Sequence, residues 1–447
     1  MRGAASVRKC RVAGLVALAA LAILTGYMRE AGIAAAFGAG RTADAYFAVL
    51  LLVTILVDLL PGAALLTSIV PALAPLALDA ATAGVRRTVV TVTACILGVT
   101  TILLSAAVLH LMPVALRLIS PGFDAESARS ALSLAEGLVW LLPLQATVLL
   151  FTLTLNAHGR FALAAAMPAL SNGIFAGVLA ISGAEGERTL SVAALLGPAV
   201  AVLILGGWLC HLRLLGLRRH VPSAEVLRQI WQLARPTLLT VGIGSSTGLL
   251  MLAHMLLRRE GSHFGPGGIS ALGYAFRIYE VPISLFANVA ATLALPAISS
   301  LHGRASGDEI VNRCRQLLLW GAVLLVPAAA IAFFEAPLLV DLLFSGGQFS
   351  DADAALTADA LRGFAPAILL EAAIVVSYRI FYALRRPLVP VVLSGVTLAA
   401  LALALFLFGG GGVMAIAYCL SVSFAVTLAT ILIAWRTHVR RLHPEGS

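Results

Sequence analysis

Twelve apolar stretches of about 20 residues or more run through this chain, separated by short polar links. A helix of that length crosses the hydrocarbon core of a bilayer, where each backbone polar group must be satisfied within the helix. The chain is 60% hydrophobic and only 11% charged, so it has too little polar surface for a water-soluble globule. The sequence therefore predicts an all-α polytopic membrane protein.

The hydropathy pattern places twelve transmembrane helices in two groups of six. Their expected limits are 11–37, 44–75, 88–113, 132–156, 161–183, 190–212, 230–257, 268–299, 314–334, 355–382, 387–408 and 413–435.

The basic residues predict the orientation of these helices. Five of the 30 Lys and Arg residues lie in or near spans, at positions 29, 235, 277, 362 and 379. If the N-terminus is cytoplasmic, the outer links carry only six of the others: Arg41, Arg117, Arg129, Arg188, Arg258 and Arg259. The remaining 19 lie on the inner side. This asymmetry predicts that both termini are cytoplasmic.

An internal repeat relates the two groups of helices. Three landmarks recur at offsets of 225, 225 and 226 residues, in the pairs Pro71 and Pro296, Gly122 and Gly347, Ala157 and Ala383. An offset of six spans preserves orientation, so we expect a parallel repeat of two six-helix lobes, 1–225 and 226–447, around a central cavity. Such lobes suit alternating access, although duplication retained only for packing is the alternative.

Charged side chains inside the first span are the candidates for function. An ionisable group at a helix centre costs roughly 2.5–3.5 kcal/mol on insertion scales and usually faces a cavity or the bundle interior. Arg29 and Glu30 are adjacent and point about 100° apart around the helix. We expect that they cannot pair with each other and that each has partners elsewhere, which favours a polar cavity.

The eighth span holds a second charged pair. Arg277 and Glu280 are three residues apart and share a helix face. Because a guanidinium holds phosphate oxygens bidentately, an Arg from each lobe would suit an anionic headgroup. The alternative is that both pairs are structural and lock helices together. Asp44, at the start of the second span, is either a helix cap or an acidic site residue.

Motifs for other functions are absent from the sequence. It has no Walker A, HExxH or glycine-rich dinucleotide motif, and its five cysteines are far apart without metal-ligand spacing. We expect the cysteines to be small buried residues. The arginines are scattered and not gathered into a nucleic-acid patch. The sequence predicts neither an enzyme nor a cofactor, metal or nucleic-acid binder.

Several motifs together resemble the MurJ/MviN family of bacterial lipid II flippases, within the multidrug/oligosaccharidyl-lipid/polysaccharide exporter superfamily. They are "MREAGIAAAFGAGRTADAYF" at 28–47, "SPGF" at 120–123, "LNAHGRF" at 155–161, "YAFRIYEVP" at 274–282, "LFSGGQFS" at 343–350 and "FYALRRP" at 381–387. The resemblance implies transport of a polyprenyl-pyrophosphate-linked saccharide to the outer leaflet of the cytoplasmic membrane, driven by membrane potential or a coupling ion. It also implies that Arg29 and Arg277 hold the pyrophosphate and that Asp44 is an acidic site residue.

Two positions depart from the family pattern: Ile23 and Val57 stand where the resemblance leads us to expect arginine. A multidrug-type exporter of small molecules and a non-transporting membrane scaffold of envelope synthesis are the alternative functions. Expected partners are the lipid-linked substrate, membrane lipids and a coupling ion, and we expect a monomer.

Overall fold

The computed structural model describes residues 2–57, 83–182, 186–216, 228, 246–301, 307–383 and 388–442. Within these residues the chain is helical, apart from loops and one isolated bridge between Gly346 and Phe349. The helices are α1 (Arg2–Phe37), α2 (Arg41–Val57), α3 (Ala83–Ile119), α4 (Ala125–Leu138), α5 (Leu141–Ala157), α6 (Phe161–Ser182), α7 (Glu187–His211), α8 (Ser246–Gly261), α9 (Gly268–Leu301), α10 (Gly307–Phe334), α11 (Ala336–Phe344), α12 (Asp351–Ala383), α13 (Leu388–Phe408) and α14 (Val413–Leu442).

The prediction of a helical membrane protein is confirmed. Eight helices of the described part are long and apolar enough to cross a membrane, or nine if α4 and α5 together form one bent span. The predicted spans 44–75 and 230–257 extend outside the described residues. The count of twelve therefore stays a prediction.

Two details of the predicted spans are wrong. The expected single helix 132–156 is two helices, α4 and α5, bent by 40° at a short break. The short helix α11, nine residues long, lies between the ninth and tenth predicted spans and was not expected. Hydropathy misses both features, because it responds to the total apolar length and not to local breaks or sub-span helices.

The chain divides into two compact units. Unit 1 contains Met1–Phe37, Arg41–Leu118 and Asp124–Ser245, and unit 2 contains Gly38–Gly40, Ile119–Phe123 and Ser246–Ser447. Most residues around the predicted lobe boundary at 225 lie outside the described part, so that boundary remains a prediction.

Helices α6 and α7 connect the other helices of unit 1. Helix α6 packs against α1 and α7, while α2 packs against α4 and α5 against α7. Its buried core includes Leu150 and Phe151 of α5 and Leu205 of α7. Small residues bring the backbones together: a Cβ on Gly197 of α7 would lie 2.6 Å from the Ser171 carbonyl oxygen of α6. Close backbone approach of this kind is how helices pack tightly without a hydrophobic driving force in lipid.

Unit 2 is organised around α12, which contacts α9, α10 and α14. At Gly363 the backbone of α12 approaches α14 closely, since a Cβ there would lie 2.4 Å from the Met414 carbonyl oxygen of α14. The Ser421 hydroxyl donates to the Gly363 carbonyl across the same contact, at 3.0 Å. Because Gly363 has no side chain, α12 can lie close to α14, and the hydrogen bond from Ser421 stabilises this contact.

Some helix contacts recur in the two units. In unit 1, α1 packs on α6 and α6 on α7; in unit 2, α8 packs on α13 and α13 on α14. Helix α5 packs on α7 as α12 packs on α14. Other contacts are found in one unit alone, as that of α10 with α12 in unit 2, so the parallel repeat stays a prediction.

The "FGAG" motif ends α1 with a turn that only glycine adopts readily. Gly38 has a φ of +60°, and a Cβ at this position would lie 2.7 Å from the Gln348 carbonyl oxygen. The buried Tyr274 hydroxyl donates to the Gly38 carbonyl at 2.9 Å. The motif is thus explained by backbone geometry within unit 2.

Candidate functional site

The charged pair of the first span forms a direct ion pair in unit 1. An Arg29 Nη2 donates to Glu30 Oε1 at 2.5 Å, and the Glu30 residue is only 4% exposed. The expectation that these neighbours could not pair is wrong. Their Cα–Cβ directions do diverge around the helix, but the long Arg29 side chain bends back far enough to reach the shorter carboxylate.

Helix α6 fixes the other side of the Arg29 guanidinium. Nη1 donates to the Asn172 Oδ1 at 3.3 Å, and the guanidinium carbon lies 5.9 Å from the centre of the Phe175 ring, in range of a cation–π contact. The Asn172 amide nitrogen also donates to the Ala22 carbonyl of α1, at 3.5 Å. The Arg29 guanidinium is therefore held between α1 and α6 by the Glu30 carboxylate, the Asn172 amide and the Phe175 ring.

A cavity of about 390 Å³ opens beside this guanidinium within unit 1. Arg29 is the one charged side chain among the lining residues that the structure describes, and the neutral polar ones include Gln145 and Asn172. Val57, one of the two positions where the resemblance predicted arginine, also lines it. The sequence identified Arg29 because a charged side chain inside a membrane span is energetically costly. Gln145 of α5 and Asn172 of α6 are neutral, so no comparable signal marks them in the sequence.

Asp44 lies in the first turn of α2 and is only 2% exposed. The helix begins at Arg41, so the cap position immediately before it belongs to Gly40 and not to Asp44. The next polar residue of this helix, Tyr46, is 1% exposed and packs its ring 6.2 Å from that of Phe175. Asp44 is therefore a buried acid in the first turn of α2 and does not occupy the cap position.

Unit 2 contains the second predicted pair. Arg277 Nη1 lies 3.1 Å from Glu280 Oε2 on α9, which confirms that the two residues share a helix face. Their side chains are 27% and 46% exposed, so this pair is more open than the pair of Arg29 and Glu30. Ion pairs that retain this much exposure contribute little stability by themselves.

A polar contact between α9 and α12 was not found from the sequence. The buried Tyr279 hydroxyl donates to Glu371 Oε2 within unit 2. Glu371 is an acid in an otherwise apolar stretch, and its partner Tyr279 is 92 positions away in the sequence. Another span arginine, Arg362, pairs with Asp359 at 2.8 Å. Of the other basic residues in or near spans, residue 235 lies outside the described residues, and the side chain of residue 379 is not described.

An exposed polar cluster precedes α4. Asp124 caps this helix by accepting from the Ser127 backbone N–H at 2.7 Å, and Arg41 lies 3.2 Å from its carboxylate. The hydrogen bond from Ser127, with a smaller effect of Arg41, holds the pKa of Asp124 below its ordinary value. The cluster fixes the start of α4 and does not belong to the lining of the cavity beside Arg29.

One cysteine expectation is corrected by these helices. Cys419 is buried as expected, whereas Cys95 of α3 and Cys210 of α7 are exposed.

Long apolar helices in two compact units, one of which holds an arginine-lined cavity, define a polytopic helical membrane protein. The solved structure "Lipid II flippase MurJ, inward closed conformation" superposes with a TM-score of 0.78 at 17% identity, covering 96% of this chain and 89% of that one. An inward-facing multidrug-resistance transporter of the MATE family follows with a TM-score of 0.73 at 16% identity, covering 95% and 96%. At these identities the likeness shows the fold.

The family is shown by the sequence match. The model of the family described as lipid II flippase MurJ matches residues 33–444, so the chain belongs to the MurJ family. A probable lipid II flippase MurJ of Rhizobium meliloti is 27% identical over 402 residues, covering 86% of this chain and 72% of the relative. A protein of the same description from Synechocystis is 27% identical over 396 residues, covering 86% and 73%. The family is one of membrane transporters, not enzymes.

Proposed function

We propose that this protein is a flippase that moves a polyprenyl-pyrophosphate-linked saccharide across the cytoplasmic membrane by alternating access. Lipid II, or a related cell-envelope precursor, is the substrate, and peptidoglycan synthesis is the process served. The observation that carries the proposal is the family match over residues 33–444. The Arg29 guanidinium, which lines the cavity of unit 1, is consistent with it.

The chemistry of the cavity supports an anionic headgroup. A guanidinium binds phosphate oxygens through charge-assisted hydrogen bonds, which are shorter and about twice as strong as neutral ones. In this structure Arg29 gives one contact to a neutral amide oxygen at 3.3 Å, a long bond that a phosphate oxygen outcompetes. Arg29 is therefore placed to exchange a weak internal partner for a substrate oxygen.

The proposed roles of the site residues follow from their surroundings. Arg29 and Arg277 bind pyrophosphate oxygens, and Glu30 and Glu280 hold those guanidinium groups in position through the ion pairs described above. Asp44, buried in the first turn of α2, is a further acidic residue of the proposed site. Without substrate, each acid offsets the charge of its arginine and reduces the cost of holding it in the membrane.

The topology completes the proposal. Both termini lie in the cytoplasm, as the distribution of arginines predicts. The protein works as a monomer, and the membrane potential or a coupling ion supplies the energy. The expected partners are the lipid-linked substrate and the surrounding lipids.

A multidrug-type exporter is the second candidate, because its fold is shared at a TM-score of 0.73. Exporters of this type usually bind cationic drugs through acidic cavity residues. Here the charged side chain among the described cavity-lining residues is an arginine, which argues for an anion. A non-transporting scaffold is the third candidate and predicts no dependence on Arg29.

Growth complementation separates these candidates. A bacterial host depleted of its own lipid II flippase receives this protein, and growth and cell lysis are followed. We expect rescue by the wild-type chain. Failure to rescue at normal protein abundance would contradict lipid II as substrate, and rescue independent of Arg29 would contradict the proposed headgroup site.

A further inference from the structure

Glu371 is an acid inside a membrane span that no described cation offsets. It lies on α12 within Asp351–Tyr378, a segment long and apolar enough to cross a membrane, and the residue is partly buried. Every ion pair among the described residues involves another acid. A carboxylate at membrane depth is costly while it stays charged, and a bound proton or a bound cation removes this cost. Glu371 therefore needs a ligand that the described side chains do not supply.

The partner of Glu371 is a buried tyrosine of α9. The Tyr279 hydroxyl donates to Glu371 Oε2, and the Tyr279 residue is 1% exposed. Phe276 and Phe364 pack against its ring, each with a ring centre 5.4 Å from that of Tyr279. A hydroxyl both donates and accepts hydrogen bonds, whereas a carboxyl group donates only when it is protonated. The two side chains therefore stay hydrogen-bonded whether Glu371 is ionised or neutral, so a proton can bind or leave without orphaning either group.

The other titratable groups around this pair do not neutralise it. Helix α9 contributes Glu280, which follows Tyr279 and pairs with Arg277 at 3.1 Å. Helix α13 has no titratable residue. On the other helices packed against α12, the described titratable side chains are exposed or lie in the part of α14 that contacts Gly363, and they are Arg315, Asp341, Tyr418 and Cys419. Those described on α12 itself lie about two turns or more from Glu371 and are Asp351, Asp353, Asp359, Arg362 and Tyr378.

The surroundings favour a proton over a metal ion as the ligand of Glu371. Hard cations such as Ca²⁺ and Mg²⁺ take about six or more oxygen ligands. Among the described residues, the Tyr279 hydroxyl is the one group hydrogen-bonded to this carboxyl, and no cluster of three or more His, Cys, Asp or Glu side chains is suited to a metal ion. A proton needs only one carboxylate lone pair, and the existing hydrogen bond accommodates it.

We propose that Glu371 is the site at which unit 2 binds and releases a proton, and that this proton is the coupling ion of the transport cycle. The inference rests on the proposed function and names its energy source. The carboxylate takes a proton from water, forming an O–H bond, and returns it to water when that bond breaks. Tyr279 is a positioning residue that holds the carboxyl group in both states. Its neighbour Glu280 pairs with Arg277, so the proton binds close to the substrate site proposed for unit 2.

Infrared spectroscopy of the full chain tests the proton site without any substrate. The protein is studied in a maltoside detergent, which has no carbonyl group. A protonated carboxyl gives a C=O stretching band that an ionised carboxylate lacks. The wild type is compared with Glu371→Gln, Tyr279→Phe and Asp359→Asn at neutral pH and during alkaline titration. Asp359→Asn is the matched control, because it removes another acid of α12, one that already has a cation as its partner.

We expect the wild type and Asp359→Asn to show the band at neutral pH and to lose it reversibly on alkaline titration. Glu371→Gln should lack the band, and Tyr279→Phe should shift its frequency because the hydrogen bond is gone. A band of equal intensity in Glu371→Gln, or no band in the wild type, would overturn the proposal. A carboxylate band that instead shifts when choline replaces Na⁺ would show a bound cation and overturn it as well.

The coupling role is tested in cells depleted of their own flippase. Nigericin in potassium medium collapses the pH gradient and leaves the membrane potential. We expect it to lower outer-leaflet lipid II in cells with the wild-type chain and to have no effect with Glu371→Gln. An equal response of both, or no response of the wild type, would overturn proton coupling.

The outcome is separable from that of the proposed function. A chain that shows the Glu371 band but restores no outer-leaflet lipid II refutes only lipid II as the substrate. A chain that restores outer-leaflet lipid II but lacks the band refutes only the proton site.

Discussion

The pair of Arg29 and Glu30 shows how a single charge is tolerated inside a membrane helix. The Glu30 carboxylate is almost fully buried, and removing its cation alone leaves an uncompensated charge, a change that costs about 3–5 kcal/mol in buried pairs. Loss of activity in a simple Arg29 variant therefore cannot distinguish binding from folding. Neutralising both partners can.

We expect Arg29→Gln to lower protein abundance and the double variant Arg29→Gln with Glu30→Gln to restore it without restoring transport. In the double variant no buried charge lacks a partner, and the guanidinium for the phosphate is gone. Membrane abundance and outer-leaflet substrate are the two measurements. Asp359→Asn with Arg362→Gln is the control, because it neutralises an ion pair of α12 that does not line the cavity. Wild-type transport by the first double variant would refute a substrate role for Arg29.

The exposed Asp124 cap predicts a pH dependence of stability. Its pKa is lower in the folded protein than its ordinary value of 3.8, so its contribution is present above that value and is lost as the pH falls through the folded pKa. Asp124→Asn keeps a cap side chain without the charge. We expect the wild type to have a slightly higher melting temperature than this variant at pH 7, and the difference to vanish under acid. A difference that is unchanged down to pH 3 would contradict this assignment.

At the scale of helices, small residues decide how closely the elements of each unit approach. Gly363→Leu places a side chain against the α14 backbone, and overpacking of this kind costs about 1–3 kcal/mol. We therefore expect a clear fall in the melting temperature in detergent. Gly395→Leu is the matched control, since a Cβ at Gly395 of α13 meets no atom within 4 Å. Equal effects of the two substitutions would argue against a specific contact of α12 with α14.

The sequence predicts helices much better than it predicts contacts. Apolar length identified the spans, and three-residue spacing identified the Arg277 and Glu280 pair, because both are local properties. The bond from Arg29 to Asn172 joins residues 143 positions apart, and the one from Tyr279 to Glu371 joins residues 92 apart. No local pattern encodes such partners. The break between α4 and α5 and the Arg29 side-chain conformation depend on packing and were predicted wrongly for that reason.

For the whole molecule, the distribution of arginines predicts the orientation. With 19 basic residues on one side and six on the other, the C-terminus should be cytoplasmic. We expect a green fluorescent protein fused after residue 447 to fluoresce in cells and an alkaline phosphatase at the same position to be inactive. A fusion at residue 124, in a predicted outer link, should behave in the opposite way. An active phosphatase at the C-terminus would contradict the predicted topology.

The central claim is that this member of the MurJ family carries a pyrophosphate-linked saccharide to the outer leaflet through a site containing Arg29. The most direct test is to quantify lipid II accessible at the outer leaflet in cells depleted of their own flippase. The account predicts that the wild-type chain restores outer-leaflet lipid II and that the double variant at Arg29 and Glu30, present at equal abundance, does not. No accessible lipid II with abundant wild-type protein would contradict lipid II as the substrate, and full restoration by the double variant would contradict the site containing Arg29.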